Sequence, residues 1–287
     1  FYDKLAFANL SQEPVGMGKR LVQLEINQQG RRGVSLVAPG SDFTLYDVNG
    51  KPETVSGSSF AAPLVTGTIA LLQEFGDRQL FPKKANPHWT LNHRQPEVMK
   101  AVLINSAVKI KNTDLGMDYA LYSKKNRDWL QTHAYADAQI PLDLELGSGQ
   151  LNGLRAMQQF QAGSHSPKQP IPAIAWDYGT ILPQQTVTYS LQKPLKAGSF
   201  ATVTLAWHRD VELVDQNQNQ QYDLGESFEA TPLTNLDLFL VQTPGTNADQ
   251  SEKIPCASQS QVDNLEHFFC PIPQAGFYQI QVKSVSR

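Results

Sequence analysis

The stretch Gly57-Ser58-Ser59-Phe60-Ala61-Ala62-Pro63, which runs straight into the apolar residues 64–72, constrains this chain more than any other part of it. A glycine-serine turn that opens a helix places a hydroxyl at the helix's positive end, where unpaired backbone N–H groups favour developing negative charge. A reactive serine needs that placement together with an adjacent base. Ala62, Val65, Ile69 and Leu72 recur at three- and four-residue steps, so the spacing predicts a helix with one buried face. Pro63 is expected in its first turn, where a missing N–H costs nothing. Taken alone, Gly-Ser-Ser is equally an ordinary N-cap before an alanine-rich helix.

The full stretch resembles the Gly-Thr-Ser-Met-Ala-Ala/Ser-Pro signature of subtilisin-like serine proteases (subtilases), with Ser59 in the nucleophile position. A sedolisin-type acid protease also carries a serine in a Gly-x-Ser turn, but the Ala-Ala-Pro start of this helix fits subtilases better. Val34-Ser35-Leu36-Val37-Ala38-Pro39-Gly40 looks like the family's strand and turn shortly before the serine. Residues 96–107, opened by Pro96 and closed by Asn105-Ser106-Ala107, are similar to the family helix that ends in Asn-Thr-Ala. Gly147-Ser148-Gly149-Gln150-Leu151-Asn152 resembles the closing Gly-x-Gly-x-(Leu/Val)-Asn segment and leaves residues 154–160 as a terminal helix. Leu64 departs from the family in replacing a histidine that is not catalytic, and residues 114–140 form an insertion expected to be a surface loop. The resemblance implies an α/β subtilisin-like fragment over residues 1–163, the C-terminal part of a catalytic domain, with the Ser59 backbone N–H as an oxyanion donor.

The family pattern also demands an aspartate, a histidine and an oxyanion asparagine N-terminal to the serine. The 58 residues before Ser59 contain no histidine, and Asp3, Asp42 and Asp47 lie in no matching motif. His88, His93, His133, His165, His208 and His267 all follow Ser59 and are read as surface or hydrogen-bonded loop residues. The sequence opens on Phe1 without a secretory segment, and no apolar run is long enough to span a membrane. The expectation is therefore the C-terminal chain of a secreted, cell-surface or periplasmic serine endopeptidase, separated by processing from an N-terminal chain that carries the catalytic Asp, His and oxyanion Asn. Its substrate would be a protein or peptide. The competing reading is a non-catalytic protease-like scaffold that binds calcium and a protein or glycan partner.

After a turn-rich linker at residues 164–175, short alternating runs appear at residues 186–190, 201–207, 236–241 and 277–285. Period-two alternation between Pro, Gly and Asn clusters predicts an antiparallel β-sandwich over residues 176–287. Asn235-Leu236-Asp237-Leu238-Phe239-Leu240 and Gly276-Phe277-Tyr278-Gln279-Ile280-Gln281-Val282 resemble the jelly-roll-like domains appended to secreted proteases, of the pre-peptidase C-terminal and proprotein-convertase P-domain kind.

Within that half, residues 215–226 place oxygen-bearing side chains at positions one, three, five, nine and twelve, namely Asp215, Asn217, Asn219, Asp223 and Glu226. Gln221 at position seven can offer its backbone carbonyl, so the spacing suits Ca2+. Gln220 occupies position six, where glycine is usual, so it either takes up an unfavourable turn conformation or is accommodated by a variant loop. The alternative is a solvated connection between strands. Asp210, Asp237, Asp263 and Glu266 are conceivable further ligands but are read as solvated.

Cys256 and Cys270 are the only cysteines, and in an exported protein they are expected to pair, closing a loop worth on the order of 3 kcal/mol; two buried free thiols are the alternative. Neither cysteine lies near a spaced histidine pair, so no zinc arrangement is legible. A net charge of −3 with scattered lysines and arginines gives no basic stripe and argues against nucleic-acid binding.

Overall fold

The computed structural model describes residues 31–81, 86–109, 129–243 and 253–285. Among the described residues before the linker, four α-helices form: α1 Ser58–Gln79, α2 Pro96–Ser106, α3 His133–Ala136 and α4 Gly153–Phe160. A hairpin of β1 Phe43–Tyr46 and β2 Pro52–Val55 precedes α1. The second half holds β3 Thr186–Ser190, β4 Phe200–Ala206, β5 Val211–Val214, β6 Ser227–Ala230, β7 Asn235–Gln242, β8 Lys253–Ser258, β9 Leu265–Pro271 and β10 Tyr278–Val285.

Helix α1 begins at Ser58, so Pro63 lies inside it and not in its first turn. The ring has no N–H to return to the carbonyl four residues earlier, which leaves the Ser59 carbonyl without its intrahelical donor. The buried face also differs from the expected one. Ala61 and Leu72 are buried while Ala62 is exposed, and Val65 and Ile69 are only partly covered. With alanine at both 61 and 62, spacing alone could not select the inward one.

Helix α2 starts on Pro96 with Glu97 in its first turn, where a carboxylate meets the positive helix end. Its Val98, Met99, Val102 and Leu103 pack with Leu72 of α1 and with Ala156 and Phe160 of α4. Helix α4 is capped by Asn152, whose side chain accepts from the Arg155 N–H. Trp89 stands edge-on to Phe160 at 5.1 Å, and Phe160 stacks on Trp176 at 5.6 Å. Trp176 and the buried Ile171 carry residues 164–176 into this packing, and their backbone is tied down by Ser164 N–H to His88 O and Ile171 N–H to Ser190 O.

Three segments separated in sequence meet behind the helices. The Val37 N–H donates to Gly149 O, the Leu151 N–H to Val37 O, and the Val108 N–H to Gln150 O. Gly149 is required at this junction: at φ +119° a Cβ would sit 2.2 Å from the Val108 carbonyl oxygen. The strand before the serine, the end of α2 and the segment before α4 therefore form one backbone-bonded unit.

In the second half, β3, β10, β7 and β8 form an antiparallel sheet in that order, β4 pairs with β9, and β5 pairs with β6. Leu238 and Leu240 of β7, Phe268 and Cys270 of β9, and Tyr278 of β10 share one buried cluster against Val203 and Leu205 of β4. The Cys256–Cys270 disulfide joins β8 to β9 across this cluster. Strand β8 has no counterpart in the sequence reading; Pro255 interrupts its pattern and is accommodated because β8 lies at the sheet edge.

Helix α2 also packs against β4. Asn105 binds across this contact, its Oδ1 accepting from the Thr202 and Thr204 hydroxyls at 3.0 Å each. Nearby the Trp129 indole N–H donates to Phe269 O at 3.2 Å. Lys109 is buried where α2 ends, its ammonium donating to the carbonyls of Ile104, Asn105 and Ala107. These are the free C-terminal carbonyls of a helix, satisfied by one cation.

Candidate active site

Ser59 sits in the first turn of α1 with its side chain exposed. The turn is pinned from both sides, by Gly57 N–H to Gly40 O at 2.7 Å and by Phe60 N–H to Gly57 O at 3.0 Å. The first bond joins the Pro39-Gly40 turn to the serine turn, and the Asp42 N–H bonded to Ser56 Oγ at 2.9 Å fixes the intervening hairpin beside it. Phe43 of that hairpin faces Phe60, ring centroids 6.5 Å apart. Among the described residues neither the Ser59 hydroxyl nor its N–H has a hydrogen-bond partner, and no side chain caps the helix. An exposed hydroxyl and a backbone N–H thus both stand unbonded at the positive end of a helix.

The surroundings of that turn are unusually apolar for an exposed surface. Ala62, Pro63, Leu64 and Leu71 of α1 face outward, and at the hairpin Tyr46 is 75% and Val48 101% exposed.

No histidine among the described residues is bonded to Ser59. His93 is fully buried in a short 3-10 turn, so of its expected surface or hydrogen-bonded loop role the hydrogen bonding holds and the surface placement does not; its Nε2 meets Asp77 Oδ1 at 2.8 Å and its Nδ1 meets Thr90 O at 2.7 Å, so neither nitrogen is left to act as a base. Hydrogen bonds from Arg94 and then His93 hold the Asp77 carboxyl down at about 2. Gly76 is the reason His93 fits, since a Cβ there would meet its ring at 2.3 Å. His208 pairs with Glu97 at 2.6 Å. His88 and His165 stack on each other at 4.2 Å.

His267, on β9, is buried as well. Thr204 spends its one hydroxyl proton on Asn105 Oδ1, so the 2.7 Å contact from His267 Nδ1 to Thr204 Oγ1 makes Nδ1 the protonated nitrogen. Its Nε2 has no partner, and burial pushes the imidazole well below its ordinary pKa.

Residues 215–226 form the connection between β5 and β6. Asp215 accepts from the Asn219 N–H at 3.3 Å and from the Gln220 N–H at 2.6 Å. Glu226 accepts from the Gln216 and Asp223 N–H groups at 2.9 Å each. The Asn217 and Asn219 side-chain amides both face Asp223 Oδ2, at 2.6 and 2.7 Å, and the Gln221 N–H donates to Asn219 Oδ1. Gln220 takes φ 61°, the left-handed conformation that glycine supplies more cheaply. Among the described residues no group of three or more His, Cys, Asp or Glu side chains is gathered closely enough to hold a metal ion.

Asp237, Asp263 and Glu266 are buried, which corrects their reading as solvated. Asp263 accepts from the Arg32 N–H and the Ser260 hydroxyl, both at 2.9 Å, and Asp237 accepts from Gln259 Nε2 at 3.1 Å. Glu266, fully buried, takes the Ser260 N–H at 2.6 Å and shares a hydrogen bond with the Ser258 hydroxyl. Burial pushes its carboxyl up to about 9, reinforced by Asp237 and Asp263 and only partly offset by the two serine bonds. Asp210 is exposed as expected. A separate apolar cavity of about 1070 Å³ lies between α2, β3, β4 and β10, lined by residues such as Val102, Val187, Leu205 and Ile280. Neither Ser59 nor the 215–226 loop lines it.

Residues 20–135 match the model of the subtilase family, which supports a subtilase-type domain and, at the family level, a serine protease. No curated protein matches the chain. No helix among the described residues is long and apolar enough to cross a membrane.

Proposed function

We propose that this chain is the C-terminal part of a secreted subtilisin-like serine endopeptidase, in which Ser59 is the nucleophile and the catalytic Asp, His and oxyanion Asn come from an N-terminal companion chain. The observation that carries this reading is the exposed, unbonded Ser59 hydroxyl at the start of α1, held by the Gly57 to Gly40 bond. The outward apolar residues of α1 support the companion, because a helix that is apolar on several sides is one that other polypeptide covers. In the completed site a histidine takes the Ser59 proton, Oγ attacks the peptide carbonyl, and the Ser59 N–H with the companion's asparagine holds the oxyanion. Water then releases the acyl-enzyme. A fluorophosphonate probe on the complete assembly tests this. Labelling at Ser59 is the expected result; an unlabelled assembly would favour a non-catalytic scaffold.

The second half serves, in this reading, as a β-sandwich clasped by calcium, of the kind appended to secreted proteases. Support comes from the oxygen set of Asp215, Asn217, Asn219, Asp223 and Glu226, the Gln221 carbonyl, and the left-handed Gln220 that keeps the loop's turn without glycine. The Cys256–Cys270 bond fits an oxidising compartment. Adding millimolar Ca2+ is expected to raise the unfolding midpoint by several degrees, and chelator to lower it, with Asp215→Ala abolishing the difference. Equal midpoints with calcium and with chelator would remove the site.

A further inference from the structure

We propose that the cavity between α2 and strands β3, β4 and β10 binds a long-chain carboxylate, an amphiphile with one acyl chain and an anionic head. The cavity exists because the two apolar sheet faces are not closed on each other at this side. Val187 and Tyr189 of β3 stand opposite Val282 and Ile280 of β10 in register, so these four share one face of the sheet. Val203 and Leu205 supply the β4 wall, and all six side chains line the cavity while staying only half-buried. Glu97, Ala101 and Asn105 of α2 also line it at four-residue steps, so the helix borders it for two turns, about 12 Å. Partly covered aliphatic walls favour an apolar occupant, and about 1070 Å³ is on the scale of sites that enclose small ligands. Ile174 lines the cavity and is 57% exposed, so the space reaches the surface beside it.

The charged groups on the lining decide which head the chain carries. Glu97 is matched by His208, and Asp177 accepts from the Ser164 and Tyr189 hydroxyls at 2.8 and 3.1 Å. Arg155 of α4 is different: among the described residues its guanidinium has neither an ion pair nor a hydrogen bond, which leaves it the unmatched charge of the lining. Gln158 and Gln159 follow it at three- and four-residue steps and therefore lie on the same side of α4. Gln159 Oε1 is occupied by Asn105 Nδ2 at 3.2 Å, so its own amide N–H groups remain as donors. A guanidinium beside amide donors suits a carboxylate, which it can hold through two parallel bonds. An ammonium head would meet like charge there. Neither Ser59 nor the 215–226 loop lines the cavity, so this site is independent of the roles assigned to both.

Calorimetric titration of the intact protein with sodium dodecanoate, below its micelle concentration, is expected to show one saturable site. Octanoate should bind more weakly by on the order of a hundredfold, the scale of four methylenes left out of an apolar site. Arg155→Gln should weaken dodecanoate about tenfold or more and leave dodecanol unchanged, because only the head contact is lost. Ala101→Phe, which fills the cavity from α2, should weaken both. Dodecylammonium that binds as tightly as dodecanoate overturns the carboxylate head, and the absence of a saturable site, or of any dependence on chain length, overturns the cavity as its place. Dodecanoate brominated at its last carbon reads that place without a variant: Trp176 and Trp207 line the cavity, so tryptophan fluorescence should be quenched, and unchanged fluorescence at saturation refutes the site.

Discussion

Glu266→Gln is expected to stabilise the protein above neutral pH and to flatten the dependence of its stability on pH. The buried carboxyl titrates at about 9 in the folded protein against an ordinary 4.5, so it stays protonated through the neutral range while an unfolded chain would ionise. A pKa raised on folding contributes stability that is complete below the unfolded value and is lost as pH rises towards the folded one. The loss therefore falls between about pH 4.5 and 9, at up to about 1.4 kcal/mol per pH unit. Lys109 pulls the other way. Burial depresses its ammonium, so its unfolded form holds the proton more firmly and its contribution grows with pH. Comparing Glu266→Gln with the parent at each pH removes the lysine from the difference. Denaturant unfolding at pH 5, 7 and 9 should give a difference that grows by a few kcal/mol across the series, because glutamine keeps an acceptor for the Ser260 N–H without a proton to lose. A constant difference would mean that Glu266 ionises while buried.

What could be foreseen from the sequence was local, and what could not was assembled from distant parts. The serine turn, the Pro96 helix and four of the strands lie in single continuous segments, where spacing and start signals act on neighbouring residues. Pro63 was misplaced because the helix extends back to Ser58, beyond the residue that usually marks a start. Strand β8 was hidden by Pro255, whose tolerance depends on which strand lies at the edge, a fact of topology. The burial of Asp237 and Glu266 on strands and of Asp263 in the loop before β9 was equally out of reach, because acidic residues read as solvated until distant neighbours cover them. Gln220 shows the opposite case. Of its two expected accommodations, a strained turn conformation or a variant loop, the backbone adopts the first, at φ 61°.

Ser59→Ala is expected to reduce peptide hydrolysis by the complete assembly by about 10⁶-fold, the scale on which removing a triad member acts. Its value as a test comes from how little else the side chain does. The hydroxyl is exposed, bonds to nothing among the described residues, and does not cap α1, whose N-cap is Gly57. Alanine is also the better helix former, so the unfolding midpoint should hold or rise slightly. KM should change little, since a lost attacking oxygen affects the transition state and not the encounter with substrate. Ser58→Ala is the matched control: an equally exposed hydroxyl one residue earlier, also without a capping bond, whose removal should leave turnover within a few-fold of the parent. The two variants separate a nucleophile from a serine-rich helix start. Equal losses at both positions would point to disturbed helix geometry, and retained activity in Ser59→Ala would dismiss it as the attacking group. A large loss confined to Ser59 is the outcome the proposed function predicts, because the unbonded Ser59 N–H at the start of α1 could hold an oxyanion only where an attacking oxygen lies beside it.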